Sequence, residues 1–354
     1  MAPGSQPNNA EAIVQHLARR LPGFVATQPP KRLTGGLLNH LWRVLGEPRS
    51  VVVKVAPPWV ATQPEVPLDA ERIRFEARAL EALAHHGTLS GVCTGTAGVP
   101  ELLDFDATRR VIIMEDLTPC SALADRLATA CPTTAADALG SFIGRLHRCS
   151  LGDSRLAPMF FNAAIQRARL DTQYAAVSEW LQRAGVADAE RLGARAIELG
   201  RRLCQPGRCL VMGDLWPPSV LIGHAEAVRL IDWEFVTFGN PAQDLAHLAA
   251  HLQMLVHCSA AAGEHGRMFW RHFVGAYRTS LGSAGGHILD AQVRADCAVH
   301  FAAEVLTRAV GAFRDSSPYA TLPADGPAVR NAVRLAVEQL RGTSESWFLK
   351  QLFA

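Results

Sequence analysis

The feature that most constrains this chain is a pair of aspartates, each placed just after a short apolar run. Asp214 follows the apolar run 209–212 and one glycine, and Asp232 directly follows the apolar run 228–231. A lone aspartate in such a place is most often a turn or cap residue. Two aspartates in this order, each after a predicted strand, instead indicate one site that needs two carboxylates.

Phosphoryl transfer is the chemistry that such a pair suits. One carboxylate must orient the attacking hydroxyl and accept its proton, while another must hold the magnesium ion that neutralises the phosphates. A polar residue, Ser219, lies five positions after Asp214. The sequence therefore predicts a phosphoryl-transfer site around the two aspartates.

A lysine inside a β-branched run is the second signal. Lys54 lies in the run 51–56, where a buried ammonium group is costly unless a carboxylate pairs with it. The segment 71–86 has the composition and spacing of a helix and offers Glu76 as that carboxylate. We expect this pair to bind the α- and β-phosphates of a nucleotide. The simpler alternative is an edge-strand lysine whose ammonium group reaches water.

A glycine turn precedes these elements. Gly35 and Gly36 follow a predicted strand, and Asn39 comes shortly after them. Backbone amides in such a turn lie close to a bound phosphate. A Gly-Gly hairpin turn has the same appearance, and the segment has neither the full G-x-G-x-x-G pattern nor a Walker loop. The turn therefore indicates a nucleotide site only together with the other motifs.

The order of the predicted elements indicates two lobes. Strand-like runs predominate up to residue 117 and helical patterns after it. We expect an α+β fold with a small β-rich nucleotide-binding lobe at residues 11–117 and a larger helical lobe at residues 118–354, which carries the catalytic and substrate residues. Residues 1–10 are expected to form a disordered tail. The predicted helices of the second lobe are 135–148, 164–183, 187–203, 241–257, 268–279, 289–313 and 328–340.

Composition limits the partners and the compartment. Lysine and arginine number 35 against 33 acidic residues, a balance that argues against a nucleic-acid partner. There is no apolar run of membrane-spanning length and no polybasic patch, so no membrane partner is expected. The eight cysteines are scattered without a Cys-x-x-Cys pair, which is typical of a reduced, cytoplasmic protein. The sequence gives no oligomeric state.

Taken in order, these motifs resemble the aminoglycoside phosphotransferase and choline kinase superfamily, whose members have a two-lobed protein-kinase-like fold. The order of glycine turn, strand lysine, helix glutamate, hinge, catalytic loop and metal aspartate is kept over residues 31–313. Within the superfamily, the stretches 31–44, 210–216 (LVMGDLW) and 232–234 (DWE) are most similar to methylthioribose kinases and fungal hydroxytryptamine kinases.

The resemblance implies a small-molecule O-kinase that uses ATP and Mg²⁺. It makes Asp214 the catalytic base, with Asp232, Glu234 and Ser219 as metal ligands and Asp244 as a brace for the catalytic loop. The residues that it places at the nucleotide are Gly35, Gly36, Asn39, Lys54, Glu76 and the hinge residues Met114, Glu115 and Leu117.

The acceptor is expected to meet the helical lobe. Trp216 and Trp233 are candidates for apolar or cation-attracting walls of its pocket, and Glu304 and Arg308 are candidates for polar contacts. Glu304 and Arg308 could equally be ordinary charged residues on the surface of a helix. Methylthioribose kinases carry an arginine pair at this place, whereas this chain has Thr307 followed by one arginine. A hydroxytryptamine and methylthioribose are the acceptors that the resemblance names.

Two alternatives stay open at this stage. An antibiotic-inactivating kinase of the same fold would need an acidic substrate cleft. A nucleotide-binding regulator without catalysis is suggested by Met212 and Ser219, which stand where much of the superfamily has histidine and asparagine.

A histidine pair is set aside. His247 and His251 lie four positions apart on a predicted helix, a spacing that suits two metal ligands. No third ligand and no intervening glutamate accompany them, so a surface or packing role is expected.

Overall fold

The fold is described from a computed structural model, which describes residues 6–34 and 36–354. Gly35, predicted to approach the nucleotide, lies outside the described residues.

The N-terminal lobe is built on antiparallel strands with two helices packed against them. Its elements are α1 (Ala10–Arg20), β1 (Val25–Ala26), β2 (Lys31–Leu33), β3 (His40–Val44), β4 (Gly46–Glu47), β5 (Val51–Val55), β6 (Trp59–Val60), β7 (Gln63–Pro67), α2 (Arg72–Leu83), β8 (Ala97–Gly98), β9 (Leu102–Asp106) and β10 (Val111–Glu115).

The central sheet of this lobe has the strand order β2-β3-β5-β10-β9 and is antiparallel throughout. Strand β5 lies in its middle, with β3 on one side and β10 on the other. Val51, Val53 and Val55 pack in one apolar cluster with residues of α1. Because side chains alternate across a strand, Lys54 points to the opposite face, where α2 lies. A buried lysine thus faces a helix.

The start of the chain corrects the predicted tail. Helix α1 begins at Ala10, and the side chain of Asn9 caps it by accepting a hydrogen bond from the Ala12 amide at 2.9 Å. The Gln6 side chain donates to the Ala56 carbonyl at 2.7 Å. Residues 6–10 are therefore tied to the N-terminal lobe, and residues 1–5 lie outside the described residues.

The C-terminal lobe is mainly helical, with three short pairings of strands. Its strands are β11 (Ser121–Ala122), β12 (Cys209–Val211), β13 (Val220–Ile222), β14 (Val228–Leu230) and β15 (Thr237–Gly239). Its helices are α3 (Leu123–Thr129), α4 (Thr133–Ser150), α5 (Leu156–Phe160), α6 (Ala163–Arg169), α7 (Val177–Arg183), α8 (Ala189–Leu203), α9 (Ala242–Cys258), α10 (Ala260–Leu281), α11 (Gly285–Ile288), α12 (Ala291–Ala309), α13 (Pro327–Arg341) and α14 (Trp347–Phe353).

Helix α9 lies at the centre of this lobe. It contacts both α10 and α12, and every residue from Ala242 to Met254 is buried. A surface helix would show one apolar stripe, so burial all round marks a core helix. Its polar residues must then find partners inside the protein.

Short antiparallel ladders place the two aspartates. Strand β12 pairs with β15, and β13 pairs with β14, so the chain leaves β12 just before Asp214 and leaves β14 just before Asp232. Gly213 has a φ of +82°, and a Cβ at this position would collide with the Phe235 carbonyl. The tight approach of these two loops therefore requires glycine.

The architecture confirms the predicted α+β fold with a β-rich first lobe and a helical second lobe. The predicted helix 164–183 is instead interrupted by a π-helical turn, Leu170–Tyr174, between α6 and α7. Strand β8 pairs in parallel with β14, so this stretch joins the C-terminal lobe although it precedes residue 117. Among the described residues, no helix is both long and apolar enough to cross a membrane.

Candidate active site

Charged and polar side chains from both lobes meet around Lys54, which is fully buried. Its Nζ atom lies 2.7 Å from Glu76 Oε2 and 2.8 Å from Asp232 Oδ1. Burial opposes the charge on Lys54, but the carboxylates of Asp232, Glu76 and Glu234 outweigh it and raise the pKa of the amine. The predicted ion pair between Lys54 and Glu76 is confirmed. We call this group the lysine cluster, and it consists of Asn39, Lys54, Arg72, Glu76, Asp232 and Glu234.

Glu234 is held inside the lysine cluster by protein donors. Its Oε2 atom accepts a hydrogen bond from Arg72 Nε at 2.7 Å, and its Oε1 atom accepts one from Asn39 Nδ2 at 2.8 Å. Arg72 also donates to the carbonyls of Leu38 and Pro57 at 2.7 and 3.0 Å. This arginine ties the segment after the glycine turn, the start of α2 and the Asp232 loop together. No sequence motif had indicated a role for Arg72.

Asp232 differs from the other carboxylates of the cluster because it reaches solvent. Its side chain is 39% exposed, whereas those of Glu76 and Glu234 are buried. Oδ1 contacts Lys54, and Oδ2 has no partner among the residues described. The residue has a φ of +65°, in the left-handed region that aspartate tolerates better than most side chains. Asp232 therefore presents a free carboxylate oxygen outward.

The loop before Asp214 is fixed by a buried aspartate on α9. Asp244 Oδ1 accepts from the Gly213 amide at 2.7 Å, and Oδ2 accepts from the Met212 amide at 3.0 Å. His147 Nε2 lies 3.0 Å from the same Oδ2. These bonds confirm the predicted bracing role of Asp244. Met212 needs no polar side chain here, since its own is buried in the core.

Asp214 is contacted on one oxygen only. Its Oδ1 atom lies 3.3 Å from Arg169 Nη2 and 3.2 Å from His247 Nε2, while Oδ2 has no partner in the described part of the chain. The side chain is 19% exposed. Burial opposes ionisation, but His247 and the positive charges of Arg169 and Arg308 outweigh it and lower the pKa of Asp214. The residue is therefore a carboxylate with one oxygen free.

Of the surface or packing role expected for His247 and His251, the surface position is wrong, because both lie in the core. Both side chains are buried on α9, and His247 contacts Asp214. Glu304 on α12 supplies the partner that the spacing of the histidines did not reveal, since its Oε1 atom lies 3.0 Å from His251 Nε2. We call this group the histidine cluster, and it consists of Asp214, His247, His251, His300, Glu304 and Arg308.

The histidine cluster is internally neutralised. Glu304 Oε1 also accepts from Arg308 Nε at 2.8 Å, and Oε2 accepts from Gln173 Nε2 at 2.9 Å. The ligand atoms of His247, His251 and Glu304 lie within 4.8 Å of one another, the spread expected of a loose metal site. Because the Arg308 guanidinium already binds this carboxylate, we interpret the group as an internal polar network.

The two predicted tryptophan walls have different positions. Trp216 is half-buried beside the histidine cluster, with the Arg308 guanidinium 5.0 Å from its ring centroid and the His251 ring at 5.3 Å. Trp233 is fully buried, donates from Nε1 to the Leu230 carbonyl at 3.0 Å and packs against Phe142. Trp233 therefore belongs to the core, and Trp216 alone of the pair reaches the region of Asp214.

The remaining predicted positions lie in three places: the loop after Asp214, the segment before β3 and the end of β10. Ser219 Oγ is buried, donates to the Trp216 carbonyl at 2.9 Å and accepts from the Trp216 amide at 3.3 Å, so it closes the catalytic loop. Gly36 lies between β2 and β3. The hinge residues lie at the end of β10 and just after it. Met114 is buried, the Glu115 carboxylate accepts a hydrogen bond from the Glu101 amide, and the Leu117 carbonyl accepts one from the Cys120 amide. Their contacts with nucleotide or metal stay predictions.

The chain matches a known family over most of its length. Residues 30–278, more than half of the chain, match the model of the phosphotransferase enzyme family. Curated relatives include the 4-hydroxytryptamine kinases of Psilocybe cyanescens and Psilocybe cubensis, which are 28% and 27% identical over 258 residues. These alignments cover 67% of this chain and 71% of each relative.

Solved structures show the same fold. Spectinomycin phosphotransferase, in complex with ADP and spectinomycin, has a TM-score of 0.55 at 13% identity, and the alignment covers 99% of both chains. Choline kinase from Cryptosporidium parvum Iowa II has a TM-score of 0.52 at 14% identity, and the alignment covers 94% of this chain and 96% of that one. From the family match and these relatives, the chain belongs to the phosphotransferase enzyme family and is an ATP-dependent small-molecule kinase.

Proposed function

We propose that this kinase transfers the γ-phosphoryl group of ATP to a hydroxyl of a small aromatic molecule, with Asp214 as the base. The observation that carries the proposal is the position of Asp214, whose loop is braced by Asp244 and whose Oδ2 atom is left free. The acceptor oxygen attacks the γ-phosphorus as its proton passes to Oδ2. The bond from that phosphorus to the bridging oxygen breaks, and the electron pair leaves with ADP.

The lysine cluster is the proposed phosphate site. Lys54 is already oriented by Glu76 and stays protonated, so it offers a fixed positive charge to the α- and β-phosphates. Gly36 and Asn39 lie in the segment that precedes β3, where backbone amides approach phosphate. The adenine ring is proposed to meet the backbone of residues 114–117. These roles follow the order of motifs in the family.

Mg²⁺ is the proposed metal, and the charges of the lysine cluster fit it. Three carboxylates face two basic side chains there, and the exposed oxygen of Asp232 is the free acidic group. A hard divalent cation prefers such oxygen ligands. When bound, Mg²⁺ would neutralise charge on the phosphates. Glu234 and Ser219 keep their protein partners in this proposal, so Asp232 is the principal protein ligand.

An aromatic acceptor is favoured by Trp216 and by the curated relatives. The indole ring of Trp216 lies beside the histidine cluster and offers a flat surface against which an aromatic ring can stack. The relatives named 4-hydroxytryptamine kinase suggest a hydroxyindole with an amine side chain. Glu304 does not favour binding of that amine, because both of its oxygens already accept hydrogen bonds from the protein.

The antibiotic alternative has less support. Aminoglycosides carry several ammonium groups and need an acidic cleft. Near Asp214, the guanidinium groups of Arg169 and Arg308 balance the two carboxylates. A regulator without catalysis also has less support, because Lys54, Glu76 and Asp232 are all assembled. A cytoplasmic location, expected from the scattered cysteines, is part of the proposal.

The test is an ADP-release screen of the purified protein. The panel includes 4-hydroxytryptamine, 5-hydroxytryptamine, choline, methylthioribose and an aminoglycoside, each with Mg²⁺ or with EDTA. We expect a phosphorylated hydroxyindole by mass spectrometry, and we expect Asp214→Asn to lower its rate of formation by about 10²-fold or more. Preferential phosphorylation of the aminoglycoside would contradict the acceptor class. An unchanged rate in the Asp214→Asn variant would contradict the role of the base.

A further inference from the structure

We propose that His247 is a positioning residue that holds the Oδ1 atom of Asp214, so that Oδ2 faces the acceptor hydroxyl. This inference rests on the proposed role of Asp214 as the base. It gives a function to His247, for which the sequence motifs indicated none. The side chain lies on α9, one turn after the aspartate that braces the catalytic loop. One helix therefore fixes both the backbone of the loop and the carboxylate that follows it.

A chain of buried side chains leads from the carboxylate into the core. His247 Nε2 lies 3.2 Å from Asp214 Oδ1, and His247 Nδ1 lies 3.3 Å from His300 Nε2. His300 Nδ1 in turn lies 2.6 Å from the Tyr174 hydroxyl. His247, His300 and Tyr174 are all buried, on α9, α12 and the π-helical turn. Three separate elements thus converge behind the base.

Tyr174, at the inner end of this series of side chains, determines which atom donates in each hydrogen bond. Burial raises the pKa of Tyr174 and lowers that of His300, so both are neutral near pH 7. A buried hydroxyl that has one partner gains most by donating to it, because an unpaired O–H group is costly. The Tyr174 hydroxyl therefore donates to His300 Nδ1, and the His300 proton is on Nε2.

The tautomer of His300 in turn determines the tautomer of His247, which contacts the proposed base. His300 Nε2–H donates to His247 Nδ1, so the proton of His247 is on Nε2 and faces Asp214 Oδ1. This 3.2 Å contact lacks good hydrogen-bond geometry in the structure, and Nε2 has no other hydrogen-bond partner among the described residues. Catalytic hydrogen bonds are often loosely aligned before substrate binds and tighten in the complex. The tautomer of His247 is thus set by groups that lie behind it.

The other polar groups around His247 have hydrogen-bond partners of their own, so they do not draw the His247 proton away from Nε2. Glu304 Oε2 lies 3.7 Å from Nδ1 and already accepts from Gln173, while the His251 ring lies 5.0 Å away and is bonded to Glu304. Arg308 is held by Glu304 as well.

Arg169 contacts the same oxygen atom of Asp214 as His247 does. Its Nη2 lies 3.3 Å from Asp214 Oδ1, and its Nη1 binds the Gly213 carbonyl at 2.5 Å. Two donors on Oδ1 leave Oδ2 to the acceptor. During transfer, the acceptor proton moves to Oδ2, and His247 keeps its own proton throughout.

The test compares His247→Leu with His247→Gln. Leucine removes the donor, and we expect kcat to fall by roughly 10- to 100-fold with the KM for ATP unchanged. The acidic limb of the kcat/KM profile should move to higher pH, because a donor that lowers the pKa of Asp214 is lost. The Nε2 of glutamine can reach a similar place and donate, so the Gln variant should recover part of both effects.

A matched pair of tyrosine variants separates positioning from packing. Tyr174 and Tyr319 are both buried, and each hydroxyl is bonded to a histidine, His300 and His257 respectively. Tyr174→Phe should lower kcat a few-fold and move the acidic limb in the same direction. Tyr319→Phe removes a similar bond away from Asp214 and should leave kcat and the pH profile unchanged.

The outcomes distinguish this inference from the proposed function. A melting curve first checks that the His247→Leu variant is folded. If this variant keeps the wild-type kcat and the wild-type acidic limb while Asp214→Asn is inactive, then Asp214 is the base but His247 is not a positioning residue. Equal loss in the Leu and Gln variants without a pH shift would also overturn the inference, because it would indicate packing alone. An active Asp214→Asn variant would instead overturn the proposed function.

Discussion

The lysine cluster and the histidine cluster, the two sides of the proposed active site, are built by opposite means. The lysine cluster joins the lobes through ion pairs between formal charges, with Lys54 and Arg72 shared among three carboxylates. The histidine cluster lies within the helical lobe, where buried imidazoles link Asp214 to the core. Burial lowers the pKa of His251 to about 4, which keeps its ring neutral.

The difference matches the role proposed for each cluster. Phosphates and a divalent cation bring large charges, and fixed opposite charges meet them without reorganisation. The acceptor hydroxyl is neutral and needs a carboxylate held at one orientation. An N–H group of His247 can hold the Asp214 carboxylate at one orientation, because the His247 ring is itself buried against His300. We therefore expect changes in the lysine cluster to have the larger effects.

The largest effect is expected from Asp232→Ala, which removes the exposed carboxylate of the lysine cluster. Lys54 keeps Glu76 as a partner, so the fold should persist while the proposed metal site is lost. Turnover of any accepted substrate should fall by about 10³-fold or more. ADP release with saturating Mg²⁺ measures the effect, and circular dichroism checks the fold. A well-folded variant with wild-type turnover would show that Asp232 is not the metal ligand.

The next largest effect is on the free energy of unfolding, and it is tested by replacing two arginines of α2. Arg72→Leu leaves the buried Glu234 carboxylate with Asn39 as a donor and with Lys54 Nζ at 3.9 Å, and breaking a buried pair in this way costs about 3–5 kcal/mol. Arg74→Leu is the matched control, because Arg74 pairs with Glu71 at the surface at 2.6 Å. Exposed pairs contribute about 0–1 kcal/mol. Urea denaturation of both variants measures the contrast, and equal midpoints would contradict the role of Arg72.

The two clusters also differ in how far the sequence predicts them. Lys54 and Glu76 lie in a strand and in the helix that follows it, so local patterns predicted their ion pair. Strand β5 occupies most of the β-branched run 51–56 for the same reason. Asp214 and Asp232 were found because each follows a short apolar strand.

Long-range partners could not be predicted in this way. Arg72 reads as an ordinary charged residue in the first turn of a helix, and its burial depends on Glu234, which lies far along the chain. The third partner of His247 and His251 is Glu304 on another helix, so their four-residue spacing alone gave no site. The π-helical turn that presents Tyr174 also escaped prediction, because its residues fit a continuous helical pattern.

The smallest effect tests whether buried histidines make the helical lobe sensitive to acid. His257 lies on α9 outside the histidine cluster and contacts Tyr319 at 2.7 Å. Burial, followed by the charge of Arg334, lowers its pKa to about 4. In the unfolded chain the pKa is near the ordinary value of about 6.5. Between these values the unfolded state binds a proton that the folded state does not, so stability falls as the pH falls.

His257→Leu should remove this contribution. Between pH 6 and 5, the free energy of unfolding of the wild type should fall more steeply than that of the variant, by about 1.4 kcal/mol per pH unit. The Tyr319 hydroxyl loses its partner in the variant, but this cost is the same at each pH and does not alter the slope. Urea denaturation at both pH values measures the two slopes. Identical slopes would mean that His257 is protonated in the folded protein, and the acid sensitivity of the helical lobe would then have another origin.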